Sequence, residues 1–166
     1  MSKRSLILFI VSLSTLLLAG SPQSKEQNMT TVKSPTHARA KAKITVQSSE
    51  AKPYDQTAGP ALVEINITET FSGDIDGEST VRALQIQRDD RSASLVSMQR
   101  FGGKLGGRHG TFVLQGQEIV ENGKIKATWF VVPGSGTGDL SGLRGEDGFE
   151  GGFGKGSEGT LDYWFE

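Results

Sequence analysis

The stretch that most constrains this chain runs from Ala127 to Gly152, ATWFVVPGSGTGDLSGLRGEDGFEGG. An apolar run, Ala127 to Val132, ends at Pro133. A comb of glycines follows at Gly134, Gly136, Gly138, Gly142, Gly145 and Gly148, with Asp139, Arg144, Glu146 and Asp147 set in it. A flexible linker repeats glycine and serine with nothing to pack, whereas Leu140, Leu143 and Phe149 interrupt this comb at spacings suited to tight turns between short strands. Of the 22 glycines in the chain, 18 lie between Gly102 and Gly159. Val, Ile, Thr and Phe fill the runs between them, which points to an all-β domain rich in hairpins. A phosphate loop needs Gly-Lys-Ser/Thr at the entry to a helix. Gly138-Asp139 places a negative charge there and no helical period follows, so nucleotide binding is excluded. The comb reads instead as a barrel corner, where glycine supplies positive φ and lets strands cross closely.

The rest of the chain supports that reading. Ala38, Ala40, Ala42, Ile44 and Val46 alternate with polar residues, the period-two signature of a strand with one buried face. Lys52 to Pro60 reads as a loop. Val63, Ile65 and Ile67 begin a second strand that reaches Phe71, and Ser72 to Gly77 (SGDIDG) reads as a turn. Further strands are expected at Glu78–Gln87, Ala93–Phe101, Gly110–Gln117 with a possible extension to Val120, Ile125–Val132, near Leu143–Phe149 and near Leu161–Phe165, with breaks at Gly102-Gly103 and Gly106-Gly107. Asn122-Gly123 is a strong hairpin signal. About eight short strands with tight turns predict a single small antiparallel β-barrel, because closure removes the sheet edges that a glycine-rich sheet would leave open to aggregation.

The N-terminus is read separately. Lys3 and Arg4 precede an apolar run, Leu6 to Ala19, and the small residues Ala19-Gly20-Ser21. This is the pattern of a cleaved signal peptide, and the run is too short for a confident membrane span. Ser21 stands where a lipoprotein would carry its cysteine, so lipidation there is excluded. The expected organisation is a signal peptide over 1–21, a disordered tether over 22–36 and a barrel domain over 37–166. The protein is expected to be exported, periplasmic or secreted. The alternative is a cytoplasmic protein starting at Met29, since Lys25-Glu26 just upstream resembles a translated ribosome-binding sequence. N-terminal sequencing of protein recovered from its host checks this: a mature terminus near Ser21 is expected, and Met29 or Thr30 supports the alternative start. The formal charge of −1, with both signs interspersed, argues against a nucleic-acid partner. With no cysteine there is no disulfide framework.

Several longer pieces carry a family likeness. TFSGDIDGES from Thr70 to Ser79, Arg88-Asp89-Asp90, Gln99-Arg100-Phe101, Gly107 with Gly110 to Gln115, PGSGTGDLSGLRGE from Pro133 to Glu146, and Leu161-Asp162-Tyr163 together resemble the DUF3224 family of small bacterial proteins. The likeness runs from about Met29 to Glu166. It implies a barrel similar to allene oxide cyclase, of the kind the dirigent proteins share, and an aspartic-type peptidase as an alternative function. Two departures follow from the same likeness. Gln99 stands where many relatives carry glutamate, and Gly116 follows Gln115 where histidine is common.

Candidate chemistry rests on few residues. Asp76, Glu78, Asp139 and Glu146 are the catalytic candidates, because two close carboxylates can share a proton and activate water. The Asp-Thr/Ser-Gly triplet of aspartic proteases is absent, and the plainer account is turn hydrogen bonding by Asp74 and Asp76, with Glu78 and Glu146 paired to Arg82 or Arg144. Arg144, Trp129 and Gln115 are the ligand-binding candidates. Arg144 and Glu146 share one side of a strand, and the Trp129 indole N–H requires a partner. No metal and no cofactor is expected: His37 lies by the tether, His109 lies in a turn, and Asp74, Asp76 and Glu78 fall short of a calcium ligand count.

Three functions follow in order. The first is binding of a small apolar or amphipathic ligand inside the barrel. The second is an acid peptidase acting on a peptide. The third is a structural homo-oligomer without chemistry. No membrane partner is expected after signal cleavage.

Overall fold

The structure, a computed structural model, describes residues 36–166. The signal peptide and all but the last residue of the tether lie outside the described residues. Eight strands, each antiparallel to its neighbours in sequence, close into a barrel. They are β1 (Ala38–Asp55), β2 (Leu62–Gly73), β3 (Ile75–Asp89), β4 (Ser92–Leu105), β5 (Arg108–Glu121), β6 (Lys124–Val131), β7 (Leu143–Gly152) and β8 (Gly156–Phe165). A single 3-10 turn at Gly138–Leu140 is the one helical element among the described residues.

Most strands are longer than the sequence pattern indicated. β1 runs on through the expected loop to Asp55, with Pro53 inside it. Its partner β8 pairs with it only as far as Ile44 opposite Ser157, so Thr45 onward is bonded to β2 alone. An edge strand tolerates proline because the missing N–H has no ladder partner to lose. Nothing buries this segment, so burial alternation stops there.

β4 likewise passes through Gly102-Gly103 instead of breaking, and the turn falls at Gly106-Gly107. Gly77 and Gly103 face each other across β3 and β4. A Cβ on Gly103 would lie 2.2 Å from the Asp76 carbonyl oxygen and one on Gly77 would lie 2.3 Å from that of Gly102, while the fully buried Phe101 ring covers the bare backbone on the inside. Gly103→Ala is therefore expected to destabilise the protein by about 1–3 kcal/mol, read as a lower urea midpoint at unchanged slope. The Asn122-Gly123 hairpin is as expected, with φ of 54° and 74°.

The glycine comb does more than turn a corner. Thr137 N–H donates to the Thr111 carbonyl, and Ser135 Oγ accepts from Val113 N–H. The loop after β6 thus lies along β5 and carries Leu140, fully buried, across the barrel end. Space there permits only glycine: a Cβ on Gly110 would lie 2.0 Å from the Thr137 carbonyl oxygen.

Inside, two apolar clusters fill the barrel. One, at the plugged end, includes Phe71, Phe101, Phe112, Trp129, Leu140 and Leu161. The other, toward the opposite hairpins, contains Val63, Ile65, Ala83, Ala93, Leu95 and Val120, with Phe153 of the β7–β8 hairpin packed on it. On the outside, Leu84, Val96, Met98, Ile119 and Phe130 project from β3 to β6 into solvent.

Candidate functional site

A band of polar side chains points into the barrel. Along β2, Val63, Ile65, Ile67, Glu69 and Phe71 follow one another on the inner face. β3 contributes Ser79, β4 Ser97 and Gln99, and β5 Glu118. Register aligns them, with Glu69 opposite Ser79 and Val81 opposite Gln99. Ser97 lies opposite Gly116, whose missing side chain makes room: a Cβ there would sit 2.5 Å from Glu118 Oε1 and 2.7 Å from Ser97 Oγ. A histidine at that place, as the family likeness implies for relatives, would displace the Glu118 carboxyl.

The hydrogen bonds run one way. Gln99 Nε2 donates to Glu69 Oε2 at 2.7 Å and to Ser79 Oγ at 2.7 Å, and Ser79 Oγ donates to the same Glu69 oxygen at 3.4 Å. Ser97 Oγ donates to Glu118 Oε1 at 2.5 Å. Glu118 Oε2 is buried with no hydrogen-bond partner among the described residues, in a residue 5% exposed. Burial holds the Glu69 carboxyl up at about 7, although Ser79 and Gln99 act to lower it, and the nearby Glu118 adds to the rise. Burial also raises Glu118, against the opposing Ser97 hydrogen bond.

Both carboxyls line a cavity of about 210 Å³. Its walls are otherwise mostly apolar, with Ile65, Ile67, Leu95 and Ile125 among them, and among the described residues no Lys, Arg or His lines it. It reaches Val46 and Ser49 of β1 and the Gly152–Gly154 hairpin. That is the seam where β1 has parted from β8.

The residues singled out from sequence lie elsewhere. Asp76, Glu78, Asp139 and Glu146 are exposed, and none of them lines this cavity. Asp76 stands opposite Lys104, Glu78 opposite Thr70 and Gly102, and Glu146 opposite Phe130 and Asp162. Asp139 accepts from His109 N–H at 3.3 Å. The expected arginine partners differ as well: Arg144 pairs with Glu166 at 2.7 Å and Arg82 with Glu64 at 2.6 Å. Gln115 is exposed on the outer face. Trp129 is buried in the plugged-end cluster, where its indole N–H donates to the Thr160 carbonyl at 2.9 Å. It does not line the cavity, although Phe149, with ring centroids 5.2 Å away, does. His37 stacks on Trp164 with ring centroids 4.5 Å apart.

Sequence reading passed over Glu69 and Glu118. The available signal was their phase: each occupies an inward position of an alternating strand, where an apolar residue is the norm.

No curated protein matches the chain. The crystal structure of a protein of unknown function from the DUF3224 family of Shewanella oneidensis MR-1 is similar, with a TM-score of 0.61 and 27% sequence identity over 79% of this chain and 99% of that one. The family model described as "Protein of unknown function (DUF3224)" matches residues 40–166. With that match over most of its length, the chain belongs to the DUF3224 family.

Proposed function

We propose that this protein binds a small amphipathic ligand in the cavity between its two apolar clusters. The single observation that carries this reading is the buried, unpartnered Glu118 Oε2 at the wall of an otherwise mostly apolar cavity. A buried polar atom left without a partner costs roughly 1–3 kcal/mol, and a ligand polar group would supply the partner. Concave apolar space with a few convergent polar groups is the general form of a ligand site. The size suits a small guest: an apolar cavity of about 150 Å³ accepts a benzene-sized molecule, so this one suits a single substituted ring. An extended peptide is far larger, and the surface carboxylates do not line the cavity, so nothing in this arrangement favours the acid peptidase.

Titration of methyl-labelled protein with benzyl alcohol tests the reading. Saturable shifts confined to the methyls that line the cavity, those of Val46, Ile65, Ile67, Val81, Leu95 and Ile125, are expected, and Ala83→Leu, which fills the cavity, should abolish them. Absence of saturable shifts with every small ring probe would overturn it.

A further inference from the structure

We infer that the cavity selects a small hydrophobic amine, bound as its ammonium ion between Glu69 and Glu118, over neutral and anionic ligands of the same shape. This rests on the ligand-binding reading above and specifies the ligand's chemistry.

Three observations point to a cation. First, the lining holds two carboxyls and no positive side chain. From β1 it receives Val46 and Ser49, from β4 Leu95, Ser97 and Gln99, and from β8 Gly156 and Ser157. Among the described residues, the two glutamates are the only titratable groups facing the space. Second, every hydrogen bond to the two carboxyls is a donation toward a carboxyl oxygen, from Ser79, Gln99 and Ser97. Such bonds favour the ionised form, so the donors are set to hold negative charge that the protein itself does not neutralise. Third, Glu118 Oε2 is an acceptor without a donor whenever that carboxyl is ionised. An ammonium group has three N–H donors and no acceptor. It satisfies the free oxygen and supplies the missing counter-charge together, while a ring or short alkyl chain fills the apolar part.

An anionic ligand would bring a third negative group to the same space and is rejected. A neutral alcohol satisfies the oxygen without the charge. In the empty cavity burial favours the protonated carboxyls, so binding an ammonium ion displaces a carboxyl proton to solvent. Affinity for the amine therefore rises with pH through the neutral range, as long as the amine stays protonated.

The experiment compares benzylamine, benzyl alcohol and benzoate, three probes of nearly equal size, by calorimetry at pH 5.5 and 8. Benzylamine is expected to bind at least about tenfold more tightly than benzyl alcohol at pH 8, to weaken at pH 5.5, and to release protons on binding, seen as a dependence of the heat on the buffer's ionisation enthalpy. Benzoate should not bind. Glu118→Gln should remove most of the amine preference, so that benzylamine and benzyl alcohol bind the variant with affinities close to one another at both pH values. If that variant does not fold, Glu69→Gln and the pH dependence of the native protein give the same readout. Equal affinity for amine and alcohol at both pH values, or binding of benzoate, overturns the amine assignment and leaves the ligand-binding reading standing. Failure of all three probes to bind overturns both.

Discussion

Truncating Phe101 to alanine is expected to lower the free energy of unfolding by about 3–5 kcal/mol. The ring is fully buried and sits at the centre of the plugged-end cluster, 5.5 Å from Phe71 and 4.9 Å from Phe112 between ring centroids. It also covers the inner side of the Gly77–Gly103 contact, where neither residue has a side chain of its own. A void left there cannot collapse easily, because the surrounding strands are tied into a closed ladder. Since small domains are stable by only about 5–15 kcal/mol, the loss is a large share of the total. Urea unfolding checks it: the midpoint should fall at unchanged slope. Val96→Ala, on the outer face with Val96 51% exposed, serves as a control and should stay within about 0.5 kcal/mol.

The second large effect is a dependence of stability on pH. Glu69 is held up to about 7 against an ordinary 4.5. Between those two values the unfolded chain has released this proton and the folded chain keeps it, so the folded state binds more protons and stability falls as pH rises. The contribution is present in full below 4.5 and is lost once pH passes about 7, an upper estimate of about 3 kcal/mol. Glu118, raised by the same burial, adds in the same direction. Unfolding free energies at pH 5, 6, 7 and 8 and constant ionic strength should therefore decline and then level. Glu69→Gln should flatten much of that decline. An identical slope in the variant would show that the carboxyl does not titrate in this range.

Much of the barrel was legible because most of its strands alternate. Ala40, Ala42 and Ile44, or Val63 and Ile65, each place an apolar residue inward at every second position. The hairpin at Asn122-Gly123 was legible for the same local reason, since two successive positive φ values demand those residues. What sequence did not show arises from pairing. The outer half of β1 carries no burial pattern, and only its register with β2 makes it a strand. Gly102-Gly103 has the composition of a break, yet the facing Gly77 turns it into a close crossing.

The site was hidden differently. Carboxylates beside glycines attract attention as turn chemistry, yet of the four only Asp139 lies in a turn, while Asp76, Glu78 and Glu146 are exposed positions on β3 and β7. Glu69 and Glu118 sit in plain strand sequence, and their importance lies in being in phase with Ile67 and Val120. Gln99 was singled out only as a departure from relatives, whereas here its amide holds the Glu69 carboxyl.

The loop that carries Leu140 across one end of the barrel also decides what kind of vessel this is. A tube open at both ends can conduct, and a guest can enter by one mouth and leave by the other. A tube stoppered at one end leaves only the other for entry, and here the cavity extends toward the seam between the outer half of β1 and the β7–β8 hairpin. On the ligand-binding reading proposed above, a guest of the cavity would leave by the way it came, so the protein would hold and release it without passing it along.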